Sequence, residues 1–149
     1  MDAPPIQYAR TEDGVNVAYW TLGRGPAVVF LNGPHFSHSQ LLWEIPEATT
    51  FLERLGQGRQ LVGFDWRGTG LSDREPIDFS PEAMQRDLAA VVQQLALEQY
   101  SLLAQDQSSY VAIPFAASRP DEVLGMVYPA PSDLYSAPEP AGWGAGVEP

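Results

Sequence analysis

Cysteine is absent from this chain, and so is lysine: the eight basic residues are all arginine, set against nineteen acids for a net charge of −11 at pH 7. Without cysteine there can be no disulfide framework, no thiolate metal site and no thiol nucleophile. An acidic excess of this size repels phosphate backbones and anionic lipid, so no nucleic-acid partner and no membrane-surface partner is expected. Histidine is scarce as well. The two copies, His35 and His38, lie early in the chain, so no imidazole base follows residue 38. No apolar run approaches the roughly 20 residues that span a bilayer, and no charged-then-apolar leader pattern stands at the N-terminus. A cytoplasmic setting is the default expectation. Nothing in the composition calls for a cofactor or a metal.

What is present reads as one globular domain of alternating strands and helices. Residues 6–11 and 15–22 form two strands around Glu12-Asp13-Gly14, a turn signal that predicts an antiparallel hairpin. The short apolar run 27–31 has the composition of a strand covered on both faces. A long loop with Asn32-Gly33-Pro34 and both histidines follows. Residues 46–55 place Ala48, Phe51, Leu52 and Leu55 on one side of a helix. Residues 60–64 form a strand. Ser80 before Pro81 reads as an N-cap and first helical residue, opening a helix to about Leu97 whose stripe is Ala83, Met84, Leu88, Val91, Val92 and Leu95. A strand at 101–105, a helix at 108–118 and a strand at 124–128 complete the pattern. The fold class is therefore α/β: a mostly parallel sheet with an N-terminal antiparallel hairpin and helices on both faces. Residues 129–149 carry five prolines and three glycines with no apolar period. We expect a domain over 1–128 and a poorly ordered Pro/Gly-rich tail over 129–149.

The most informative stretch is Leu102-Leu103-Ala104-Gln105-Asp106-Gln107-Ser108-Ser109-Tyr110. An apolar strand ends at small residues, Ala104 and Ser108, that flank one reactive side chain, and a helix follows at once. This is the layout of a nucleophile elbow with Asp106 in the reactive place. A carboxylate there would attack carbon and form an ester. The alternative is an aspartate at a helix N-terminus, stabilised by free amides and the helix dipole, with no catalysis.

Together with Phe64-Asp65-Trp66-Arg67-Gly68-Thr69-Gly70-Leu71-Ser72-Asp73 and Asn32-Gly33, that elbow closely resembles the α/β-hydrolase fold family, over about residues 7–128. The D-x-R-G-x-G-x-S run between a strand and a long helix is its most specific element. The runs 18–23, 43–46 and 67–74 also resemble the hydrolase-like segments found ahead of transcription-regulator or cyclase domains. We read the 65–73 loop as structural, with Gly68 and Gly70 allowing tight turns and Arg67 tied to carbonyls or to Asp65.

The resemblance implies a set of site residues. Asp106 occupies the nucleophile position, as in the epoxide-hydrolase and haloalkane-dehalogenase members. Those members carry Gly at the small positions and often Trp after the aspartate, where this chain has Ala104, Ser108 and Gln107. The amide of Gln107 would be one oxyanion donor. The second would come from the residue after Asn32-Gly33, which is Pro34 and has no N–H, or, with the register shifted by one, from His35. Asn32, Gly33, Pro34 and His35 are thus the binding candidates. Asp133 is the candidate acid, with a solvated loop residue as its alternative. The expected late histidine is missing, as are the cap and the last two strands, and Tyr135 lies too early to stand in for a cap tyrosine. A truncated α/β-hydrolase fold would leave the 124–128 strand as an open edge, a place for self-association. The implied function is a hydrolase of the epoxide, haloalkane or ester class with an incomplete catalytic set, inactive as this chain alone. The alternatives are a non-catalytic module that senses a small apolar molecule or contacts protein, and a truncated reading frame.

Overall fold

The structure, a computed structural model, describes residues 3–34, 37–75 and 78–129. Its strands are β1 (Gln7–Arg10), β2 (Asn16–Leu22), β3 (Ala27–Leu31), β4 (Gln60–Phe64), β5 (Tyr100–Ala104) and β6 (Val123–Val127). The helices are α1 (Ser39–Leu42), α2 (Pro46–Leu55), α3 (Pro81–Gln94) and α4 (Ser109–Ala117), the last entered through a 3₁₀ turn at Asp106–Ser108. They build one six-stranded sheet in the order β1-β2-β4-β3-β5-β6. β1 and β2 form the antiparallel hairpin, β2 joins β4 antiparallel, and β4, β3, β5 and β6 run parallel. The Asp133 and His35 positions, and the tail beyond residue 129, lie outside the described residues.

Alternation along β3 shows how the sheet divides the core. Ala27, Val29 and Leu31 pack with Leu88, Val91, Val111 and Phe115 of α3 and α4. Phe30 packs with Leu52 of α2 and with Trp20 and Leu61. Side chains of successive strand residues point to opposite faces, so each β3 residue serves one helix layer. Trp20 needs one further concession. It pairs across strands with Gly63, where an added Cβ would lie 2.2 Å from the indole. Glycine in mid-strand lets the ring lie flat on the backbone and meet Trp43 edge-on at 5.0 Å.

Several element ends differ from the sequence reading for identifiable reasons. The α3 helix stops at Gln94 rather than near Leu97, because Ala96 turns into the left-handed region at φ +49. The amides of Ala96 and Leu97 then donate to the carbonyls of Gln93 and Val92, the paired bonds of a Schellman close. Alanine in the place usually held by glycine hides that stop. α1 lies within the stretch whose sequence predicts loop; its N-cap is His38, whose Nδ1 accepts from the Leu41 amide at 3.4 Å. On α2 the predicted apolar stripe is only partly covered, with Leu52 buried and Phe51 exposed. β6 is likewise poorly covered, leaving Leu124 64% and Val127 61% exposed.

Arg67 is tied to a carbonyl, as expected, but its acidic partners are other than Asp65. Its guanidinium is buried and does not bond Asp65. Its backbone amide and its Nε donate to the two oxygens of Asp87, each at 2.9 Å, and Nη2 lies 2.9 Å from Asp87 Oδ1. Nη1 and Nη2 donate to the carboxylate of Asp13 at 2.8 and 3.1 Å, and Nη1 also reaches the Asp78 carbonyl at 3.2 Å. Three chain segments, the β1–β2 turn, the loop after β4 and α3, therefore meet on one side chain. Asp87 lies fully buried within the apolar stripe of α3. Burial pushes its carboxyl up, and the bonds from Arg67 work against that push. The Arg67 bonds hold the more open Asp13 far below the usual carboxylate range.

Removing one partner of a buried ion pair strands the other charge and costs about 3–5 kcal/mol. Arg67→Met should lower stability by that amount in urea unfolding, and adding Asp87→Asn, which keeps an acceptor for the Arg67 amide, should recover part of the loss. The network also sets a pH dependence. Because the folded-state value of Asp13 is depressed, its contribution is fully present above about pH 4 and is lost as the pH falls below that. Acid unfolding of Asp13→Asn should accordingly show a shallower stability slope below pH 4 than the parent chain; an equal slope would exclude Asp13 as its source.

Candidate functional site

Loops from three adjacent parallel strands converge at one end of the sheet, where open α/β sheets bind ligands. β3 runs into Asn32-Gly33-Pro34, β4 into the 65–73 loop, and β5 into Asp106.

The β4 loop is a rigid wall. Asp65 is buried, and its Oδ1 accepts from the Ser39 amide at 2.7 Å, from Ser39 Oγ at 2.9 Å and from Ser37 Oγ at 3.4 Å. Its Oδ2 accepts from the Leu71 amide at 2.9 Å. Ser72 Oγ donates to the Asp65 carbonyl and accepts the Ala18 amide, which stitches the loop to β2. Asp73 Oδ2 receives both the backbone amide and the side-chain amide of Asn16. Gly68 and Gly70 take φ values of +75 and +51, the turns expected of them. Every polar side chain of this motif is thus engaged in holding the chain. The β3 loop is fastened to the same wall by Trp66 Nε1, which donates to the Asn32 carbonyl at 2.8 Å.

Asp106 sits at the turn from β5 to α4 with φ +50, a conformation that L residues avoid. The turn is held from below. Ala104 and Ser108 are fully buried, and Ser108 Oγ lies 3.0 Å from the Leu31 carbonyl and 2.6 Å from that of Gln105. The Gln105 amide donates to the same Leu31 carbonyl at 2.9 Å, so the ends of β3 and β5 are tied together directly beneath Asp106. Above them the two loops nearly touch: a Cβ added at Gly33 would lie 3.0 Å from Asp106 Oδ2. A side chain there would press on that carboxylate, which would have to move by a few tenths of an ångström.

The structure therefore brings together Asp106, Gln107, Asn32, Gly33 and Pro34. Asp106 and Gln107 are exposed to solvent, while Asn32 is buried. The Gly33 amide donates to Asn32 Oδ1 at 3.0 Å, and Pro34 has no amide hydrogen to offer. His38 is occupied as the cap of α1, and α1 in turn presents Ser39 to Asp65. Among the described residues no three His, Asp or Glu side chains gather in a group able to hold a metal ion. Two functional roles escaped the sequence reading. Ser37 and Ser39 as partners of Asp65 carry no visible signal, whereas Asp87 does: a carboxylate inside an apolar helix stripe must have a buried cation facing it.

Comparison with known proteins gives the same framework. The family model for the alpha/beta hydrolase fold matches residues 26–145. Epoxide hydrolase 2 of Siraitia grosvenorii is 29% identical over 117 residues, covering 77% of this chain and 35% of that protein. An AB hydrolase superfamily protein of Bacillus subtilis is 28% identical over 110 residues, covering 74% of this chain and 39% of its own length. Among solved structures, the haloalkane dehalogenase DatA of Agrobacterium tumefaciens superimposes with a TM-score of 0.71 at 25% identity, over 85% of this chain and 41% of that one. The chain thus spans about two-fifths of the length of the relatives it matches. With the family model matched over most of its length, this chain belongs to the α/β-hydrolase fold family.

Proposed function

We propose that this chain carries the nucleophile half of a carboxylate-dependent hydrolase site, with Asp106 as the attacking group, and that the 149-residue chain alone does not turn substrate over. The observation that carries this reading is the placement of Asp106, held at φ +50 on a strand-to-helix turn with its carboxylate against the bare Cα of Gly33. Relatives named as an epoxide hydrolase and a haloalkane dehalogenase support the choice of electrophile.

In the first step an Asp106 oxygen attacks a ring carbon of an epoxide. The carbon–oxygen ring bond breaks, the alkoxide takes a proton from water, and an ester remains on Asp106. With a haloalkane the carbon–halogen bond breaks instead and halide leaves. Hydrolysis of the ester then needs a base to take a proton from water and amides to stabilise the oxyanion. Of these parts the chain offers the Gln107 amide. Its histidines both precede Asp106, and His38 already accepts a hydrogen bond from the Leu41 amide. Loss of one oxyanion donor alone typically lowers the rate by about 10²–10³. A second reading, a non-catalytic module for a small apolar ligand, is favoured by the engagement of the Gly33 amide by Asn32 and by Pro34 beside it.

Incubation with styrene oxide or a primary bromoalkane, followed by intact-mass and peptide analysis, separates these readings. We expect a single ester adduct on Asp106 that is absent in Asp106→Ala, and no product release above the uncatalysed rate. Sustained turnover that disappears in Asp106→Ala would overturn the inactivity of the chain alone. Failure to form the adduct, or an equal adduct in Asp106→Ala, would hand the site to the second reading.

A further inference from the structure

The two edges of the sheet are built differently. β1 follows Pro4-Pro5, which lack backbone N–H groups, and ends on the charged Arg10. β6 has neither device, and its one irregularity lies at its start, opposite Tyr100 and Ser101. As an edge strand it turns one row of backbone N–H and C=O groups outward. From Val123 to Pro129 there is no charged residue, in a chain of net charge −11. Leu124, Met126, Val127 and Tyr128 are all exposed.

The shape of this edge says what fits it. The register with β5 sets Met126 beside Leu102, on the face that α3 and α4 cover. Gly125 and Val127 lie beside Ser101 and Leu103, on the face of α2. On that second face Val127 projects, 61% exposed, while Gly125 leaves a gap in which a Cβ would meet nothing within 4 Å. Projection and gap stand on either side of Met126. A second β6, antiparallel and related by a two-fold axis at Met126, would set each Val127 beside the other chain's Gly125. Residues opposite one another in an antiparallel pair share a face, so each projection meets a gap. The contact is made twice, as an isologous interface requires. Pairing from Gly125 onward also leaves the irregular start of the strand out of the ladder.

Charge selects the same direction. Asp121 and Glu122 stand just before β6. Antiparallel strands hold the two acidic ends roughly 25 Å apart at about 3.3 Å per residue, well beyond the screening length of about 8 Å at physiological salt. Parallel strands would bring them together.

We infer that β6 is the interface through which two copies of this chain associate, edge to edge and antiparallel, into one continuous sheet. The guarded β1 edges end the assembly at two copies. Each Asp106 lies at the C-terminal end of its own β5, so the two carboxylates face opposite ends of the joined sheet and neither is covered. The inference does not depend on what Asp106 does.

Sedimentation equilibrium of the full chain tests it. A mass about twice the 16.3 kDa of one chain is expected in the micromolar range, falling on dilution. Gly125→Val separates interface from fold. Its side chain has open space in the single chain and suits a strand, so the melting temperature of the diluted variant should not fall. The same side chain fills the gap that the partner's Val127 would enter, and should weaken the dimer about tenfold. Met126→Lys sets two cations face to face and should weaken it about a hundredfold. Tyr8→Lys on β1 should leave the mass unchanged. A parent chain that stays monomeric up to high micromolar concentration would overturn the proposal and leave the edge to residues 130–149 or to a partner of different sequence. A dimer that persists in both Gly125→Val and Met126→Lys would overturn it as well, as would one lost in Tyr8→Lys.

Discussion

The burial of one guanidinium organises this molecule. Arg67 leaves water entirely, and only two carboxylates and a carbonyl brought from distant parts of the chain make that tolerable. An isolated charge in such a place would cost many kcal/mol, so the loop after β4 can close only when α3 and the β1–β2 turn are both seated. The pairing is thus a registration device. Asp87 fixes the rotation of α3 about its own axis, and Asp13 fixes the hairpin relative to the parallel strands. Hydrophobic burial of Leu88 and Val91 supplies the attraction between α3 and the sheet, but a stripe of aliphatic side chains would accept several rotations. The ion network accepts one.

A second buried acid carries this order to the site. Asp65 follows β4 directly and gathers amides and hydroxyls from the two loops beside it. Trp66 adds a bond to the Asn32 carbonyl, so the loop after β3 is positioned by the loop after β4. Gly33 therefore stands where it does because Trp66 does, and Trp66 because Arg67 is anchored next to it. The chain of dependence runs from the buried ion network to the clearance in front of Asp106 in a few hydrogen bonds.

Much of this was legible in the sequence, and the exceptions are instructive. The hairpin, the four parallel strands and the long helices follow from alternation, short apolar runs and the Ser80-Pro81 start, because each of those signals is local. The 65–73 motif was legible as structural, with its glycines turning as expected. The partners of Arg67 were only partly legible: Asp87 stands out as a carboxylate within an apolar helix stripe, whereas nothing local marks Asp13, which only the packing of the hairpin brings to the guanidinium. α1 was missed because a four-residue helix capped by histidine has neither the usual cap nor an apolar period. The exposed Phe51 and the open faces of β6 show the limit of periodicity: it reports which side of an element is apolar, not whether anything covers that side.

The two non-glycine residues at positive φ show why Asp106 stands apart. Left-handed backbone costs an L residue about 1–2 kcal/mol. At Ala96 the return is visible, since the turn lets two amides reach the carbonyls that end α3. At Asp106 the same strain falls at the start of a helix, where no carbonyl needs such closure and ordinary extended or helical dihedrals would serve. What the strain does achieve is to lift one carboxylate clear of the strand and hold it against Gly33, while Ser108 and Gln105 clamp the turn to Leu31 below. Backbone strain at a ligand-facing turn, held in place by its surroundings, is what the proposed attacking role of Asp106 would account for. An aspartate that capped α4 would not need a left-handed backbone, and the proposal for Asp106 rests on that difference.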